Sequence, residues 1–420
     1  MEYNLTMKKK TLKNGMKVIL VHKPEYVKSL FLCGFGTGGF NIREMVNGKL
    51  HTNRSGIAHF LEHQMFRYKG QDVTDLFAQM QAQTNAFTSY TETAYYFSTT
   101  ADVEKPLELL LDFVQNLDID EKSVQKEKGI ILSEYSMYDQ NPEMRMVREL
   151  FKSMYENHPL TIDVLGTPED IQNMEVKDLE SFYQRNYDPS KLILVGVTGK
   201  EIEPIMEHIE EYEKKYPSIE NVPSYPYFTK EEPEVVRKEF ELPMDVSEPY
   251  VCVGYKMRSE KDSHSCLKKD LLFSMWLDSV FSFMNPDYQS WLDQRILSSA
   301  CGAEADFTTD HGYVLFYAQT NKKTEFIHLV DTLVHSLQEM EDGVFQSLKA
   351  QCIARNIRAL DHFESLAIDL LRAQLENYDY FEEMKTLNSI TKKDIHTCVF
   401  GESFENRTIL TICPKSSNLS

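Results

Sequence analysis

Three features that would narrow the function of a protein at once are missing from this sequence: paired cysteines, long apolar runs and an excess of positive charge. The seven cysteines are scattered along the 420 residues without any C-x-x-C pair, which favours reduced thiols in a cytoplasm over a disulfide framework. Metal chemistry, if the chain has any, is therefore left to histidine and carboxylate side chains.

The other two absences concern membranes and nucleic acids. No apolar run approaches the roughly 18 residues of a membrane span. The basic start MEYNLTMKKKTLKNGMK is not followed by the apolar segment of a secretory signal. The 65 acidic residues outnumber the 45 basic ones and give a formal net charge of −20, which argues against a nucleic-acid-binding face. We therefore expect a cytoplasmic globular protein with no membrane span and no nucleic-acid partner.

The length predicts more than one domain, because single hydrophobic cores stop growing well below 420 residues. The segment from 216 to 235, YPSIENVPSYPYFTKEEPEV, holds four prolines among charged and polar residues and is typical of a linker. We accordingly predict an N-terminal domain over 1–222 and a C-terminal domain over 223–420.

The two halves repeat the same order of sequence patterns. In the first half, helical periodicity runs from about Gly56 to Met80, followed by the strand pair TNAFTSYTETAYYFSTT and the helical segments DVEKPLELLLDFVQNL and EKSVQKEKGIILSEYSMYD. In the second half, TEFIHLVDTLVHSLQEM and DGVFQSLKAQCIARNIRALD take the place of those two helices. We infer an α+β fold, a tandem duplication of one domain whose helices cover a mostly antiparallel sheet.

The stretch GIAHFLEHQMF, residues 56–66, contains the first candidates for chemistry. A helical residue advances 100°, so His59 and His63 lie about 40° apart on one face and can reach one metal ion. Glu62 lies about 60° from His59, close enough to overhang such an ion without binding it. The order H-x-x-E-H mirrors the H-E-x-x-H helix of metalloproteases. The alternative is a polar stripe at the rim of an apolar helix.

A catalytic zinc ion needs a third protein ligand, which is usually a carboxylate when the other two are histidines. The helix predicted over 121–139 offers Glu127 and Glu134, which lie within about 20° of each other on one face because they are seven residues apart. Either glutamate can serve as that ligand. The alternative is that both face solvent, as most helical glutamates do.

Three motifs carry a resemblance to a known family: GIAHFLEHQMF, TNAFTSYTETAYYF and KEKGIILSEYSMYDQNP. Their order and spacing resemble those of the inverzincin peptidases, which include pitrilysin, insulysin and the mitochondrial processing peptidase. The duplication matches that family's half-clamshell of two homologous domains, so the resemblance covers the whole chain. It implies that His59, His63 and Glu134 hold zinc and that Glu62 is the general base. Glu127 would then support a ligand without touching the zinc ion.

The same resemblance gives a substrate-binding role to Asn85 and Ala86, which match the family's Asn-Ala segment. That segment holds a peptide in extended form beside the metal, by main-chain hydrogen bonds of the kind that a strand edge offers. The alternative is an ordinary turn at the entry to a strand, with asparagine chosen for its backbone tolerance.

The chain departs from the family pattern in its second half. Active members carry an Arg and a Tyr seven residues apart that stabilise the tetrahedral intermediate, and the matching stretch here is WLDQRILSSACGAEADF. Asp293 stands at the arginine position, and the tyrosine position falls near Ser299 and Ala300. Arg295 has no Tyr seven residues later. One such donor is typically worth roughly 10²–10³ in rate, so the gap matters.

This departure bears on the partner that the chain needs. Family members close two halves around a peptide, and the resemblance makes this chain one zinc-bearing half, similar to the paired half-size peptidases of bacteria. We expect a dimer, either of two copies or of this chain with a related chain that keeps Arg and Tyr. The predicted activity is hydrolysis of unfolded peptides or small protein precursors in an enclosed chamber. The alternative is a non-catalytic scaffold or peptide-binding subunit.

Residues 34–39, GFGTGG, satisfy the dinucleotide-binding pattern G-x-G-x-x-G. The segment FNIREMVNGKL that follows lacks the helical periodicity that such a fold needs, so the pattern predicts no dinucleotide cofactor. We interpret these glycines as part of a strand that another backbone approaches closely.

Overall fold

The computed structural model of the chain describes residues 5–217, 223–335 and 340–415. The strands in these ranges are β1 (Thr6–Thr11), β2 (Lys17–His22), β3 (Ser29–Phe35), β4 (Arg43–Val46), β5 (Lys49–Thr52), β6 (Arg67–Tyr68), β7 (Gln71–Asp72), β8 (Ala82–Thr88), β9 (Thr93–Thr99), β10 (Ile193–Thr198), β11 (Ser224–Pro226), β12 (Glu239–Met244), β13 (Tyr250–Lys256), β14 (Cys301–Phe307), β15 (Gly312–Gln319) and β16 (Arg407–Pro414).

The α-helices in the same ranges are α1 (Ile57–Met65), α2 (Val73–Gln79), α3 (Glu104–Val114), α4 (Glu121–Gln140), α5 (Pro142–Met154), α6 (Pro168–Asn173), α7 (Val176–Asn186), α8 (Ile202–Tyr212), α9 (Ser263–Val280), α10 (Tyr288–Asp293), α11 (Lys323–His335), α12 (Asp342–Ala359), α13 (Phe363–Leu375), α14 (Glu382–Ser389) and α15 (Lys392–Phe400). Each of these described helices is too short or too polar to cross a membrane.

Two large sheets carry the fold. The first has the strand order β1-β2-β10-β3-β9-β8, and the second has the order β12-β16-β13-β15-β14. One pair in each sheet is parallel, β2 with β10 and β12 with β16, and the other pairs are antiparallel. Without β1 the two orders agree strand for strand, as expected for a duplicated domain. The predicted α+β fold with mostly antiparallel sheets is confirmed.

Two compact units divide the described residues, and neither is a continuous segment. The first unit takes its residues from Met1–Tyr135, Ile162–Tyr227 and Ala359–Glu376, and the second takes the rest. In the first unit α13 packs against β3 and β10, and in the second α5 packs against β13 and β16. Each half of the sequence therefore contributes one helix to the other unit. The division into 1–222 and 223–420 stays a prediction, and its boundary residue 222 lies outside the described residues.

The helical stretch predicted from about Gly56 to Met80 is two helices, because the hairpin of β6 and β7 separates α1 from α2. The turn residues Lys69 and Gly70 have φ angles of 50° and 74°, which no continuing right-handed helix allows. Asp72 then begins the second helix as its N-cap. The apolar periodicity carried through this break, so the pattern alone predicted a single helix.

The glycines of GFGTGG lie where neighbouring groups come close. A Cβ on Gly34 would lie 2.4 Å from the side chain of Leu371 on α13. A Cβ on Gly38 would lie 2.4 Å from the carbonyl oxygen of Ser89. Another backbone comes close at Gly38, but this residue lies after the end of β3, whereas at Gly34, inside β3, the close neighbour is a side chain. The interpretation of a strand approached by another backbone is therefore correct only in part.

We predict that Gly38→Ala lowers the free energy of unfolding by about 2 kcal/mol, because the added methyl group meets backbone atoms that cannot turn away. Gly129→Ala is the matched control, since nothing lies within 4 Å of a Cβ at this position of α4. That helical substitution should raise stability by up to about 1 kcal/mol. Urea titration followed by circular dichroism measures both. Equal stability of Gly38→Ala and the wild type would contradict the close approach.

A buried charge cluster in the second unit was not evident from the sequence. His311 is hydrogen-bonded to Asp306 through Nε2 (2.9 Å) and to Asp310 through Nδ1 (2.6 Å). Burial opposes a charge on His311, but the hydrogen bonds to two carboxylates outweigh burial and raise its pKa to about 9. His158 Nδ1 accepts the N–H of Leu160, so the proton of the neutral ring is on Nε2, 2.9 Å from Asp310. The spacing of these groups would also fit a metal ion, but the atoms that would bind the metal already take part in these hydrogen bonds.

This cluster predicts a loss of stability at high pH. The folded pKa of His311 lies above the ordinary value of 6.5, so its contribution is full below pH 6.5 and is lost as the pH rises through about 9. A shift of this size corresponds to roughly 3 kcal/mol. We expect His311→Gln to lower the urea midpoint at pH 6.5 and to flatten its decline towards pH 9.5. His328→Gln, which removes an exposed imidazole on α11, is the control. An unchanged decline in His311→Gln would show that the cluster carries no such charge.

Candidate active site

The helix with the two histidines begins where the backbone demands glycine. Gly56, its N-cap, has a φ of 77°, and a Cβ there would lie 2.1 Å from the carbonyl oxygen of Leu165. From this start α1 brings His59 and His63 onto one face with ring centroids 4.6 Å apart. The two imidazoles thus stand together, as their spacing predicted.

Glu134 on α4 is the carboxylate that meets both rings. Its Oε2 lies 3.8 Å from His59 Nε2 and 3.6 Å from His63 Nε2. These separations are too long for hydrogen bonds. They come close to the roughly 3.3–3.5 Å between ligand atoms that tetrahedral zinc with bonds of about 2.0–2.2 Å requires. The three residues therefore fit a zinc ion, and their ligand atoms all lie within 4.8 Å of one another.

Glu127, one heptad earlier on α4, takes a different position. Its Oε1 lies 2.9 Å from His63 Nδ1, on the far side of the ring from Glu134. A carboxylate on one nitrogen fixes the tautomer and leaves the other nitrogen free to bind a metal. The sequence left open which glutamate approaches the histidines as a ligand. The structure places Glu134 at both Nε2 atoms and Glu127 behind one ring.

The electrostatics of the two histidines differ. Burial, followed by the nearby His63, lowers the pKa of His59 to about 3, so this ring is neutral. Burial also acts against a charge on His63, but the hydrogen bond to Glu127 and the surrounding carboxylates outweigh burial and raise its pKa. The carboxylates thus create a negative potential at His63 that favours a cation.

The predicted base, Glu62, is a buried carboxylate beside these ligands. Burial raises its pKa, while His63 and a hydrogen bond from Thr88 oppose that rise. Thr88 Oγ1 donates to Oε2 of Glu62 at 3.0 Å. A cavity of about 520 Å³ in the first unit is lined in part by Glu62, His63 and Glu127. Sequence reasoning missed Thr88, although it lies three residues after Asn85 in the quoted motif.

Asn85 and Ala86 lie on β8, the last strand of the first sheet. Among the described residues this strand pairs with β9 alone, so it is an edge strand of the kind to which an extended peptide can add. Asn85 is exposed, and its Oδ1 accepts the N–H of Ala86 at 2.9 Å. The alternative of a turn at the entry to a strand is therefore wrong, because both residues lie inside β8.

The stretch expected to hold the family's Arg and Tyr lies in the second unit. Asp293 is the last residue of α10 and is exposed, with its Oδ1 accepting a hydrogen bond from Gln289 at 2.9 Å. Arg295, just after it, has a φ of 57°. Ser299 and Ala300 directly precede β14.

Comparison with known proteins gives matches over most of the chain. Residues 48–168 match the family described as Insulinase (Peptidase family M16), and residues 173–360 match the Peptidase M16 inactive domain. The chain is 30% identical over 419 residues to YmfH of Bacillus subtilis, described as an uncharacterized zinc protease, covering 98% of this chain and 97% of that one. It is 28% identical over 237 residues to the mitochondrial-processing peptidase subunit beta of Neurospora crassa, covering 55% of this chain and 48% of that one.

Solved structures agree. An M16-like peptidase of Alicyclobacillus acidocaldarius superposes with a TM-score of 0.94 at 26% identity, covering 99% of this chain and 100% of that one. A protease of Helicobacter pylori superposes with a TM-score of 0.83 at 20% identity, covering 98% and 100%, which shows the fold alone. Fold and relatives define a protein of the M16 peptidase class. The chain belongs to peptidase family M16, the insulinase family, and the resemblance stated from the sequence is confirmed.

The contact between Glu127 and His63 predicts an effect on metal affinity. Glu127→Gln should weaken zinc binding by roughly 10- to 100-fold, because an amide holds the imidazole less firmly than a carboxylate does. Glu121→Gln makes the same change at an exposed position of α4 and should leave the affinity unchanged. Competition with a zinc-binding dye measures both. Equal affinities in the two variants would remove Glu127 from the site.

Proposed function

We propose that this chain is a zinc-dependent endopeptidase that hydrolyses unfolded peptides or small protein precursors. One observation carries the proposal: the ligand atoms of His59, His63 and Glu134 converge within 4.8 Å, beside the carboxylate of Glu62. Family membership and relatives named as zinc proteases support a peptidase. Two histidines and a carboxylate are the ligands of catalytic zinc sites, which keep a fourth position open.

In this proposal each residue has one task. The chemistry that zinc supplies when bound at such a site is acidification of a water molecule and polarisation of a carbonyl group. His59, His63 and Glu134 hold the ion, and Glu127 orients the ring of His63. Glu62 takes the proton of the attacking water and later gives it to the leaving amine.

The substrate would bind by strand addition at β8, where Asn85 and Ala86 lie. An extended main chain pairs with the edge of a strand, and most of the main chain of a folded protein is already paired internally, so the proposal favours unfolded peptides. The net charge of −20 would attract cationic peptides. We propose cytoplasm as the location and an enclosed chamber, formed with a second half, as the place of reaction.

The second half matters because of Asp293. We propose that a related chain with Arg and Tyr completes the chamber, since a donor to the oxyanion is worth roughly 10²–10³ in rate. A homodimer would lack this pair. The same observation favours the second candidate function, a non-catalytic peptide-binding subunit, which would bind peptide without cleaving it.

Comparison of the wild type with Glu62→Gln decides between the two functions. If Glu62 is the base, this variant keeps its zinc and loses hydrolysis by roughly 10²–10⁴. The measurements are zinc content and cleavage of an unstructured fluorogenic peptide, for the chain alone and mixed with a related half-size chain. Glu121→Gln is the control and should cleave like the wild type.

Two outcomes would contradict the proposal. Wild-type protein that binds no zinc rules out the metallopeptidase. Wild-type protein that binds zinc and peptide but cleaves neither alone nor when mixed with the related chain supports the binding subunit instead.

A further inference from the structure

The carboxylate of Glu62 has a single hydrogen-bond donor among the described residues, the hydroxyl of Thr88 (3.0 Å to Oε2). Glu62 is only 9% exposed, so bulk water does not readily replace that donor. A buried carboxylate with one donor has one oxygen engaged and the other open. The hydrogen bond therefore distinguishes the two oxygens of the proposed base.

The hydroxyl proton of Thr88 is committed to this contact. The other hydroxyl near it, Thr93 Oγ1, lies at 3.5 Å and donates to the carbonyl oxygen of Thr37 at 2.8 Å. Thr93 is fully buried, so this arrangement has little room to change. With a carboxylate as the strongest acceptor in reach, Thr88 donates to Glu62.

We propose that Thr88 is a positioning residue for peptide hydrolysis, which orients Glu62 so that Oε1 is the oxygen that carries the proton. This inference rests on the proposed function. An O–H bond of the attacking water breaks as Oε1 takes the proton, and the water oxygen bonds to the peptide carbonyl carbon while the π pair of the C=O bond moves onto the carbonyl oxygen. That pair re-forms the C=O bond when the C–N bond breaks. The proton then passes from Oε1 to the amine nitrogen as the C–N bond breaks, while Oε2 keeps its hydrogen bond to Thr88 throughout.

The place of Thr88 in the fold adds to this role. Thr88 is the last residue of β8 and pairs with Thr93 at the end of the β8–β9 ladder. Asn85, on the proposed peptide-binding edge, lies three residues earlier on the same strand. The strand that would receive the substrate therefore also holds the group that orients the base. This arrangement fixes the base relative to the bound peptide.

The test compares Thr88→Val, which keeps the shape but removes the hydroxyl, with Thr88→Ser, which keeps the hydroxyl. For Thr88→Val we expect kcat to fall roughly 10- to 100-fold with KM and zinc content unchanged, because a misplaced base slows the chemical step alone. Thr88→Ser should recover most of the loss. Thr99→Val, at the other end of the hairpin, removes a hydroxyl that donates to the carbonyl of Gln81 and should leave kcat unchanged.

A binding measurement separates positioning from substrate contact. Fluorescence anisotropy with a labelled unstructured peptide gives its dissociation constant for Glu62→Gln and for Glu62→Gln/Thr88→Val. Equal constants are expected, since Thr88 acts through Glu62. A weaker complex in the double variant would make Thr88 a substrate contact and overturn the proposal. Loss of zinc in Thr88→Val would do the same by making it a support of the metal site.

The failure of this inference can be told apart from the failure of the proposed function. If Glu62→Gln abolishes hydrolysis while Thr88→Val cleaves like the wild type, only the role of Thr88 is wrong. If Glu62→Gln cleaves like the wild type, or the wild type never cleaves, the base itself is wrong and Thr88 positions nothing.

Discussion

The candidate site depends on one constraint: two imidazoles and three carboxylates share a partly buried space, where an unpartnered charge costs several kcal/mol. For most of these groups the protein itself supplies a hydrogen-bond partner or keeps the group neutral. Glu127 holds one nitrogen of His63, Thr88 holds one oxygen of Glu62, and burial keeps His59 neutral. What remains is the carboxylate of Glu134, which faces two ring nitrogens at distances that no hydrogen bond spans. A divalent cation, as in the proposed function, would satisfy all three atoms at once.

The rest of the first unit holds these side chains in place. Comparison with the second unit shows which parts of the fold are common to both copies of the domain. The strand orders of the two large sheets match, so the duplicated framework does not depend on the H-x-x-E-H pattern of α1. After β13 the chain forms α9, whose sequence SHSCLKKDLLFSMWLDSV contains no H-x-x-E-H pattern. Its match to the Peptidase M16 inactive domain agrees with this difference. Duplication therefore preserved strand order and helix cover, while the H-x-x-E-H pattern is confined to the first copy.

The sequence predicted the parts of the protein that depend on local spacing. The shared face of His59 and His63, the strand pair of β8 and β9 and the duplicated α+β domain all follow from periodicity within short segments. Contacts between residues far apart in the sequence were not predicted. In each unit a helix from one half of the sequence, α13 or α5, packs on a sheet formed by the other half, and such contacts join residues far apart in the chain. The pairing of His158 with Asp310 is also long-range. The break at Lys69 was missed because apolar periodicity continues through a turn that only its backbone angles reveal.

Binding a metal and stabilising a transition state are separable demands, and the chain divides them. The candidate metal ligands and the proposed base lie in the first unit, as do Thr88 and Glu127, which hydrogen-bond to Glu62 and His63. The family's oxyanion donors would come from a stretch of the second, where an exposed Asp293 stands instead of an arginine. An aspartate offers a developing oxyanion neither a hydrogen-bond donor nor a positive charge, so the proposed reaction needs both from another chain. The proposed function therefore pairs this chain with one that supplies the positive charge, and not with a second copy of itself.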